Sequence, residues 1–134
     1  MTPSTLREKI GDPSWVLDPI IEIAGVRNAE ILSADGILVG ASDGLDRDNA
    51  EGIAAMVSSL NGAARTAAIV ALNAPRDTAI STIIVELGAA EDAEDQTSPG
   101  RLMVMPAGTK TNAFIAVAYG PDTPMGIIAH TVAK

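Results

Sequence analysis

The stretch VRNAEILSADGILVGASDG, residues 26–44, decides the fold. Two runs rich in Ile, Leu and Val flank Ala34-Asp35-Gly36. Asp-Gly between two apolar runs is typical of a β-hairpin, because both residues tolerate the positive φ angles of a tight turn. The pattern therefore predicts antiparallel strands over residues 26–33 and 37–42, and Asp43-Gly44 ends the second strand.

Residues 46–72 follow this hairpin and form the longest helical pattern in the chain. Asp48, with Glu51 three residues later, predicts a capping box at the start of the helix. One stripe of this helix is apolar enough to lie on a sheet, and it consists of Ile53, Met56, Val57, Leu60, Ala64 and Ala67.

A second stripe of the same helix has almost no side-chain bulk, because small residues recur at spacings of three and four. Each interior glycine costs a helix about 1 kcal/mol relative to alanine, so a compensating contact is expected. Two interpretations are open: a tightly packed core within the chain, or a second helix from another copy lying close to this stripe. The members of the stripe are Gly52, Ala55, Ser59, Gly62 and Thr66.

The flanking sequence completes the element order. Residues 1–13 are polar without a period and predict a flexible arm, which leaves residues 14–134 as a single domain. A short apolar helix precedes the hairpin, and Pro19 predicts either a kink or a helix that begins at Asp18. Strands are expected over 78–87, 101–106 and 112–119, and a last helix follows Pro124 with an apolar stripe of Met125, Ile128, Ala129 and Val132. The order α-β-β-α-β-β-β-α predicts an α/β (α+β) fold in which helices cover a five-stranded antiparallel sheet.

Composition narrows the classes of partner. Seventeen acidic and nine basic residues give a formal net charge of −8, and the basic residues form no stripe that could neutralise phosphates, so nucleic acid is not an expected partner. The absence of cysteine excludes a disulfide framework and a thiolate metal site. We find neither a signal-like segment nor an apolar run of the roughly 18 residues that a membrane span needs, and we therefore expect a cytoplasmic protein without membrane insertion.

Only one pattern suggests catalysis. Gly40-Ala41-Ser42-Asp43-Gly44 matches the nucleophile elbow of serine hydrolases, and Asp122 and His130 follow in the hydrolase order. An elbow needs a parallel strand that turns directly into a helix, whereas this serine follows a hairpin strand. His130 is the single histidine, and the acidic stretch 89–99 lacks the spacing of a calcium loop. We expect no catalytic residue, no metal and no cofactor, with a small serine hydrolase as the third hypothesis for function.

The segments Trp15–Asp18, Gly25–Ala29, Ile31–Gly36 and Ala41–Glu51 closely resemble the roadblock family, which is related to a dynein light chain. More narrowly, they resemble the stand-alone bacterial members that are encoded beside a Ras-like small GTPase and a sensor-kinase-like protein. The resemblance implies a roadblock/longin-like (profilin-like) fold with the same element order. Pro19 and the long stretch 89–99 depart from the family pattern.

The resemblance also implies a homodimer, in which the long helices of two copies pack together and their third strands pair. Carried over to this chain, the interface consists of Gly52, Ala55, Ser59, Gly62, Thr66, Ser81, Ile83 and Val85. The implied function is to scaffold a small GTPase or to raise its hydrolysis rate without a catalytic arginine, and a sensor-kinase-like protein is a further possible partner. Candidate GTPase contacts are Asp46, Arg47, Asp48, Glu51 and Arg65. The alternative is a small-molecule-sensing or peptide-binding module of PAS-like or profilin-like type, which an apolar cavity inside the monomer would favour.

Overall fold

The computed structural model describes residues 13–92, 94, 97–108 and 112–133. A 3-10 helix (Pro13–Leu17) runs into α1 (Asp18–Ile21), and the hairpin strands β1 (Val26–Ser33) and β2 (Leu38–Ala41) follow. The remaining elements are α2 (Arg47–Leu72), β3 (Ile83–Leu87), β4 (Gly100–Pro106), β5 (Ala113–Tyr119) and α3 (Met125–Ala133). The predicted order is confirmed. The arm predicted over residues 1–13 falls, apart from Pro13, outside the described residues.

The five strands form one antiparallel sheet in the order β2-β1-β5-β4-β3, so β2 and β3 are the edges. Because successive side chains of a strand point to opposite faces, the inner strands β1, β4 and β5 each contribute to two cores. The core on the α2 face consists of Leu32, Ala54, Val57, Ile83, Val104 and Ala116. The core under the 3-10 helix, α1 and α3 consists of Leu17, Ile20, Ala29, Ile31, Met103, Ile115, Val117, Tyr119, Ile128 and Val132. The prediction of helices on both faces is confirmed.

The β1–β2 hairpin turns as the Asp-Gly pattern predicted. Gly36 has a φ of +87°, in the region that side chains disfavour, and its N–H donates to the Ser33 carbonyl at 2.9 Å. The turn also touches α2, because the Ser58 hydroxyl donates to the Ala34 carbonyl at 2.7 Å. This contact fixes the hairpin against the long helix.

Pro19 resolves the entry to the fold. It lies at the second position of α1, where a proline removes no intrahelical hydrogen bond. The chain changes from 3-10 to α geometry at Asp18, which confirms the later of the two predicted helix starts. Leu17 and Ile20 on either side of the junction are buried, so this short helical segment is anchored to the sheet.

The start of α2 corrects the predicted capping box. Asp46, outside the helix, is the N-cap, and its carboxylate accepts a hydrogen bond from the Asn49 N–H at 3.3 Å. Asp48 is inside the first turn, and Glu51 forms an ion pair with Arg47 at 2.9 Å and does not reach back to a cap. The helix ends at Asn73, which adopts the left-handed conformation with a φ of 53°.

The apolar stripe of α2 is partly different from the predicted one. Val57 is buried, and Ile53, Leu60 and Ala64 are packed beside it, as expected. Met56 and Ala67 are instead exposed, and Ala50 and Ala54 are fully buried in their place. The alanines let the helix axis approach the sheet closely, and the larger Met56 is rotated away from it.

Strand β3 is shorter than the pattern predicted. It begins at Ile83, and residues 78–82 lie outside any strand. The register pairs Ile83 with Val104, so a longer β3 would place Ser81 opposite Pro106 at the end of β4. Proline has no N–H to donate across the ladder, which explains why the pairing stops there.

Candidate interaction surface

The low-bulk stripe of α2 lies at the surface. All five of its members are exposed, and with 3.6 residues per turn the stripe is nearly opposite the buried Ala54 and Val57. A Cβ added to Gly52 or Gly62 would meet no atom within 4 Å. Packing inside the chain therefore does not explain these glycines, and the tight-core interpretation is wrong.

Exposed apolar side chains flank this stripe. Met56 is 66 % and Val70 is 75 % exposed, and Leu72 at the end of α2 is 77 % exposed. With 3.6 residues per turn, Met56 and Val70 lie on the side of the stripe and Leu72 lies on the opposite side, so Met56 and Val70 are the apolar residues that a partner on this face would cover. Among the described residues, α2 is also the one helix that could cross a membrane by length and composition, contrary to the expectation that no segment would qualify. That finding is weak evidence for a span, because the other side of α2 packs on the sheet of the chain itself.

The outer edge of β3 is open within the described part of the chain, because β3 pairs with β4 alone. The Ile83 side chain is buried and Val85 is half-buried against the core on the α2 face, while Ser81 precedes the strand. A second strand could therefore meet the backbone of Ile83 and Val85 but not their side chains. On the opposite side of β3, Ile84 is exposed, and Leu87 at the end of the strand is exposed on the same side as Val85.

The structure brings four of the five candidate GTPase contacts together. Asp46, Arg47, Asp48 and Glu51 surround the start of α2, and all are exposed. Arg65 is 18 residues further along the helix, which at 1.5 Å per residue is about 27 Å from Arg47. Its Nε and Nη2 donate to the carbonyls of Thr78 and Arg76 at 2.7 and 2.6 Å. Arg65 thus ties the segment after α2 to the helix.

Ser42 has a structural role. Its hydroxyl accepts a hydrogen bond from the Ala29 N–H at 3.0 Å, and its own N–H donates to the Ala29 carbonyl at 2.9 Å. It follows an antiparallel edge strand, and α2 begins only at Arg47. This context differs from that of a nucleophile elbow. His130 is an exposed residue of α3, and the described residues contain no group of three His, Asp or Glu arranged to hold a metal ion.

Sequence reasoning missed a buried carboxyl group. Glu30, in the middle of β1, is 1 % exposed, and neither carboxyl oxygen has a hydrogen-bond partner. Its register neighbours are Ala41 on β2 and Ala116 on β5, which are small enough to leave room for it beneath α2. Burial raises the pKa of the Glu30 carboxyl to about 7. No signal in the sequence marks it, because alternation with Ala29 and Ile31 is typical of a solvent-facing residue.

Sequence reasoning also missed a cleft of about 860 Å³. It lies between α2, the segment before β3, the β4–β5 end of the sheet and the end of α3. Asn61 and Arg65 line one side, and the Asn61 Oδ1 atom is buried without a hydrogen-bond partner. The cleft is open at the surface and not enclosed inside the monomer.

An antiparallel sheet between one long helix and a group of short ones, with β3 as an open edge and a low-bulk helix face exposed, defines an α+β domain. Residues 15–74 match the Roadblock/LC7 domain family. The chain therefore contains a Roadblock/LC7 domain, as the resemblance implied.

Solved structures agree with this assignment. A Roadblock/LC7 domain from Streptomyces avermitilis is 25 % identical, with a TM-score of 0.70 over 90 % of this chain and 88 % of that one. The gliding protein MglB from Thermus thermophilus is 16 % identical, with a TM-score of 0.66 over 90 % and 80 %. MglB from Myxococcus xanthus is 12 % identical, with a TM-score of 0.68 over 93 % and 89 %. The two MglB likenesses establish a shared fold alone. No curated protein sequence matches the chain.

Proposed function

We propose that the protein forms a homodimer through the outward face of α2 and the open edge of β3, and that this dimer regulates or scaffolds a Ras-like small GTPase without being an enzyme itself. The observation that carries the dimer is the exposed stripe from Gly52 to Thr66. Helical glycines destabilise a lone chain, and these meet nothing within it. A second helix packed on the stripe would gain close backbone approach and would cover Met56 and Val70.

Strand pairing adds to the same interface. An open edge strand exposes a row of backbone donors and acceptors, and pairing with the β3 of a second copy would satisfy them. Ser81, Ile83 and Val85 would contribute mainly through the backbone, since Ile83 and Val85 face the core of their own chain.

The GTPase partner rests on the roadblock resemblance, and its location rests on the distribution of charge. Asp46, Arg47, Asp48 and Glu51 form a mixed-charge cluster at the start of α2. Exposed charges at the rim of an interface affect the rate of encounter more than the final affinity. Arg65 fits this surface less well, because its guanidinium is held by the carbonyls of residues 76 and 78. We place the complex in the cytoplasm.

Sedimentation of a Gly62→Leu variant tests the dimer. Leucine at this position should weaken association at least tenfold because it separates the two helices. The folded monomer should not be destabilised, because leucine has a higher helix propensity than glycine. Gly126→Leu is the matched control, because Gly126 is a helical glycine of α3 that also faces open space. A stable monomer for the unaltered protein at micromolar concentration, or equal association for both variants, would refute the interface.

Affinity capture tests the GTPase. A purified bacterial Ras-like small GTPase is loaded with GDP or with a non-hydrolysable GTP analogue, and its binding to the dimer is measured at low and moderate salt. Arg47→Glu should slow association, most clearly at low salt, and leave the dimer intact. Single-turnover GTP hydrolysis with and without the dimer separates activation from scaffolding. Absence of binding in both nucleotide states would overturn the GTPase part of the proposal and leave the dimer standing.

A further inference from the structure

We propose that the cleft beside Asn61 and Arg65 binds a small organic carboxylate that carries an N–H or O–H donor next to its acid group and an apolar body. The proposal does not depend on the GTPase partner. The cleft volume of about 860 Å³ lies in the range of small-molecule sites, which are concave and mostly apolar with a few placed polar groups.

The walls of the cleft are largely apolar. Ile80 lies on one side, Met105 and Phe114 come from neighbouring strands, and Val132 comes from α3. Because three different elements and the segment before β3 supply these walls, the cleft is part of the folded domain and not a gap in one loop. An apolar ligand body would replace water along these side chains.

The polar groups of the cleft are set one turn apart on α2. Asn61 and Arg65 are in an i, i+4 relation, so both project from the same side of the helix into the cleft. The Asn61 Oδ1 atom is buried and accepts no hydrogen bond. A buried acceptor without a donor is costly, and a ligand N–H or O–H would satisfy it.

Arg65 supplies the positive charge. Its Nε and Nη2 donate hydrogen bonds to the carbonyls of Thr78 and Arg76, and these two bonds fix the guanidinium plane at the edge of the cleft. A guanidinium has five N–H donors, so these two bonds leave donors for a ligand. Among the described residues no carboxylate forms an ion pair with Arg65. An unpaired, pre-positioned guanidinium next to an unsatisfied amide oxygen is complementary to an acid group with an adjacent donor.

Titration of ¹⁵N-labelled protein with N-acetyl-L-phenylalanine tests this chemistry, because that compound combines a carboxylate, an adjacent N–H and an apolar ring. N-acetyl-L-phenylalaninamide is the neutral match. The acid should cause saturable shifts at the backbone amides of Ala79, Ile80 and Ala107, with binding at least tenfold tighter than that of the amide. Equal binding of acid and amide, or shifts that do not saturate or lie elsewhere, would overturn the proposal.

Variants assign the two polar groups. Arg65→Met should weaken binding of the acid at least tenfold. Arg65→Lys should retain part of the affinity because it keeps the charge. Asn61→Leu should weaken binding of the acid several-fold. The fold should stay intact, because the substitution removes a buried polar atom that has no hydrogen-bond partner. Arg27→Met is the control, because Arg27 is an exposed arginine of β1 that does not line the cleft. If Asn61→Leu and Arg65→Met both bind the acid like the unaltered protein, the assignment is refuted.

A tetrapeptide ending in phenylalanine with a free carboxyl terminus identifies the alternative occupant. The small acid and the tetrapeptide should bind with affinities within a few-fold of each other if the cleft is built for a small molecule. Binding of the tetrapeptide a hundredfold tighter would overturn the small-molecule assignment in favour of a peptide terminus.

Discussion

Substituting Glu30 with glutamine should remove a large part of the pH dependence of the free energy of unfolding between pH 4.5 and 7. The Glu30 carboxyl lies beneath α2 with both oxygens unpartnered, so its charged form has lost water and gained nothing in return. Glutamine keeps the shape of the neutral acid and cannot ionise. The variant therefore isolates the cost of the charge from the cost of the side chain.

The direction follows from the raised pKa of Glu30. Below pH 4.5 the carboxyl is protonated in both the folded and the unfolded chain, and the charge penalty is absent. As the pH rises from 4.5 toward 7, the unfolded chain releases the proton while the folded chain keeps it, so the stability contributed by the buried neutral acid declines. Above the folded pKa of about 7 the loss is complete. A shift of this size corresponds to about 3 kcal/mol.

Urea unfolding followed by far-ultraviolet circular dichroism from pH 4.5 to 8 provides the measurement. The difference in stability between Glu30→Gln and the unaltered protein should be small at pH 4.5 and should rise to about 3 kcal/mol in favour of the variant at pH 8. Glu22→Gln is the control, because Glu22 is exposed. Each curve needs a fixed protein concentration, since association stabilises the folded state. If the free energy of unfolding had the same pH dependence in the unaltered protein and in the variant, ionisation of Glu30 would not destabilise the folded state, and the reasoning would be refuted.

Three further substitutions test the local structure. Asp46→Ala should lower the free energy of unfolding by about 1 kcal/mol through loss of the helix cap, and an unchanged urea midpoint would contradict the cap. Gly100→Ala should lower the free energy of unfolding more strongly, by roughly 1–3 kcal/mol, because Gly100 has a φ of +137° and a Cβ would overlap the Tyr119 carbonyl. An unchanged thermal unfolding temperature would contradict this strain. Ser42→Ala should lower the free energy of unfolding by about 1 kcal/mol, because it removes the hydrogen bond with Ala29. A serine-reactive phosphonate should leave the unaltered protein unlabelled, and stoichiometric labelling would restore the hydrolase hypothesis.

Local patterns were sufficient for the element order. The Asp-Gly turn between two apolar runs predicted β1 and β2 within a residue or two at each boundary, because turn chemistry and alternation act over a few residues. The extent of α2 was predicted equally well, since a 26-residue periodic pattern overrides errors at single positions. Even the disturbance at Pro19 was readable, because a proline restricts the backbone wherever it occurs.

Apart from the helix cap, which was a local choice between Asp46 and Asp48, the errors share one physical origin, which is dependence on a distant part of the chain. Strand β3 is short because Pro106 ends its neighbour, and the pattern of residues 78–82 contains no information about that register. Met56 was assigned to the core, but the sheet accepts the alanines at 50 and 54 and leaves Met56 outside. The burial of Glu30 depends on Ala41 and Ala116 being small, and both are remote in sequence.

The residues on the outward face of α2 also distinguish between contact with lipid and contact with another protein chain. A helix that binds the surface of a bilayer needs large apolar residues on one side and many basic residues on the other. Here the centre of the exposed face consists of Gly, Ala, Ser and Thr, which cover little hydrocarbon, and Arg47 and Arg65 are the helix's two basic residues. Small residues at spacings of three and four instead allow two helix backbones to approach, and the flanking Met56 and Val70 can then pack across the contact. The composition that makes α2 resemble a membrane span is therefore better explained by a second helix than by lipid.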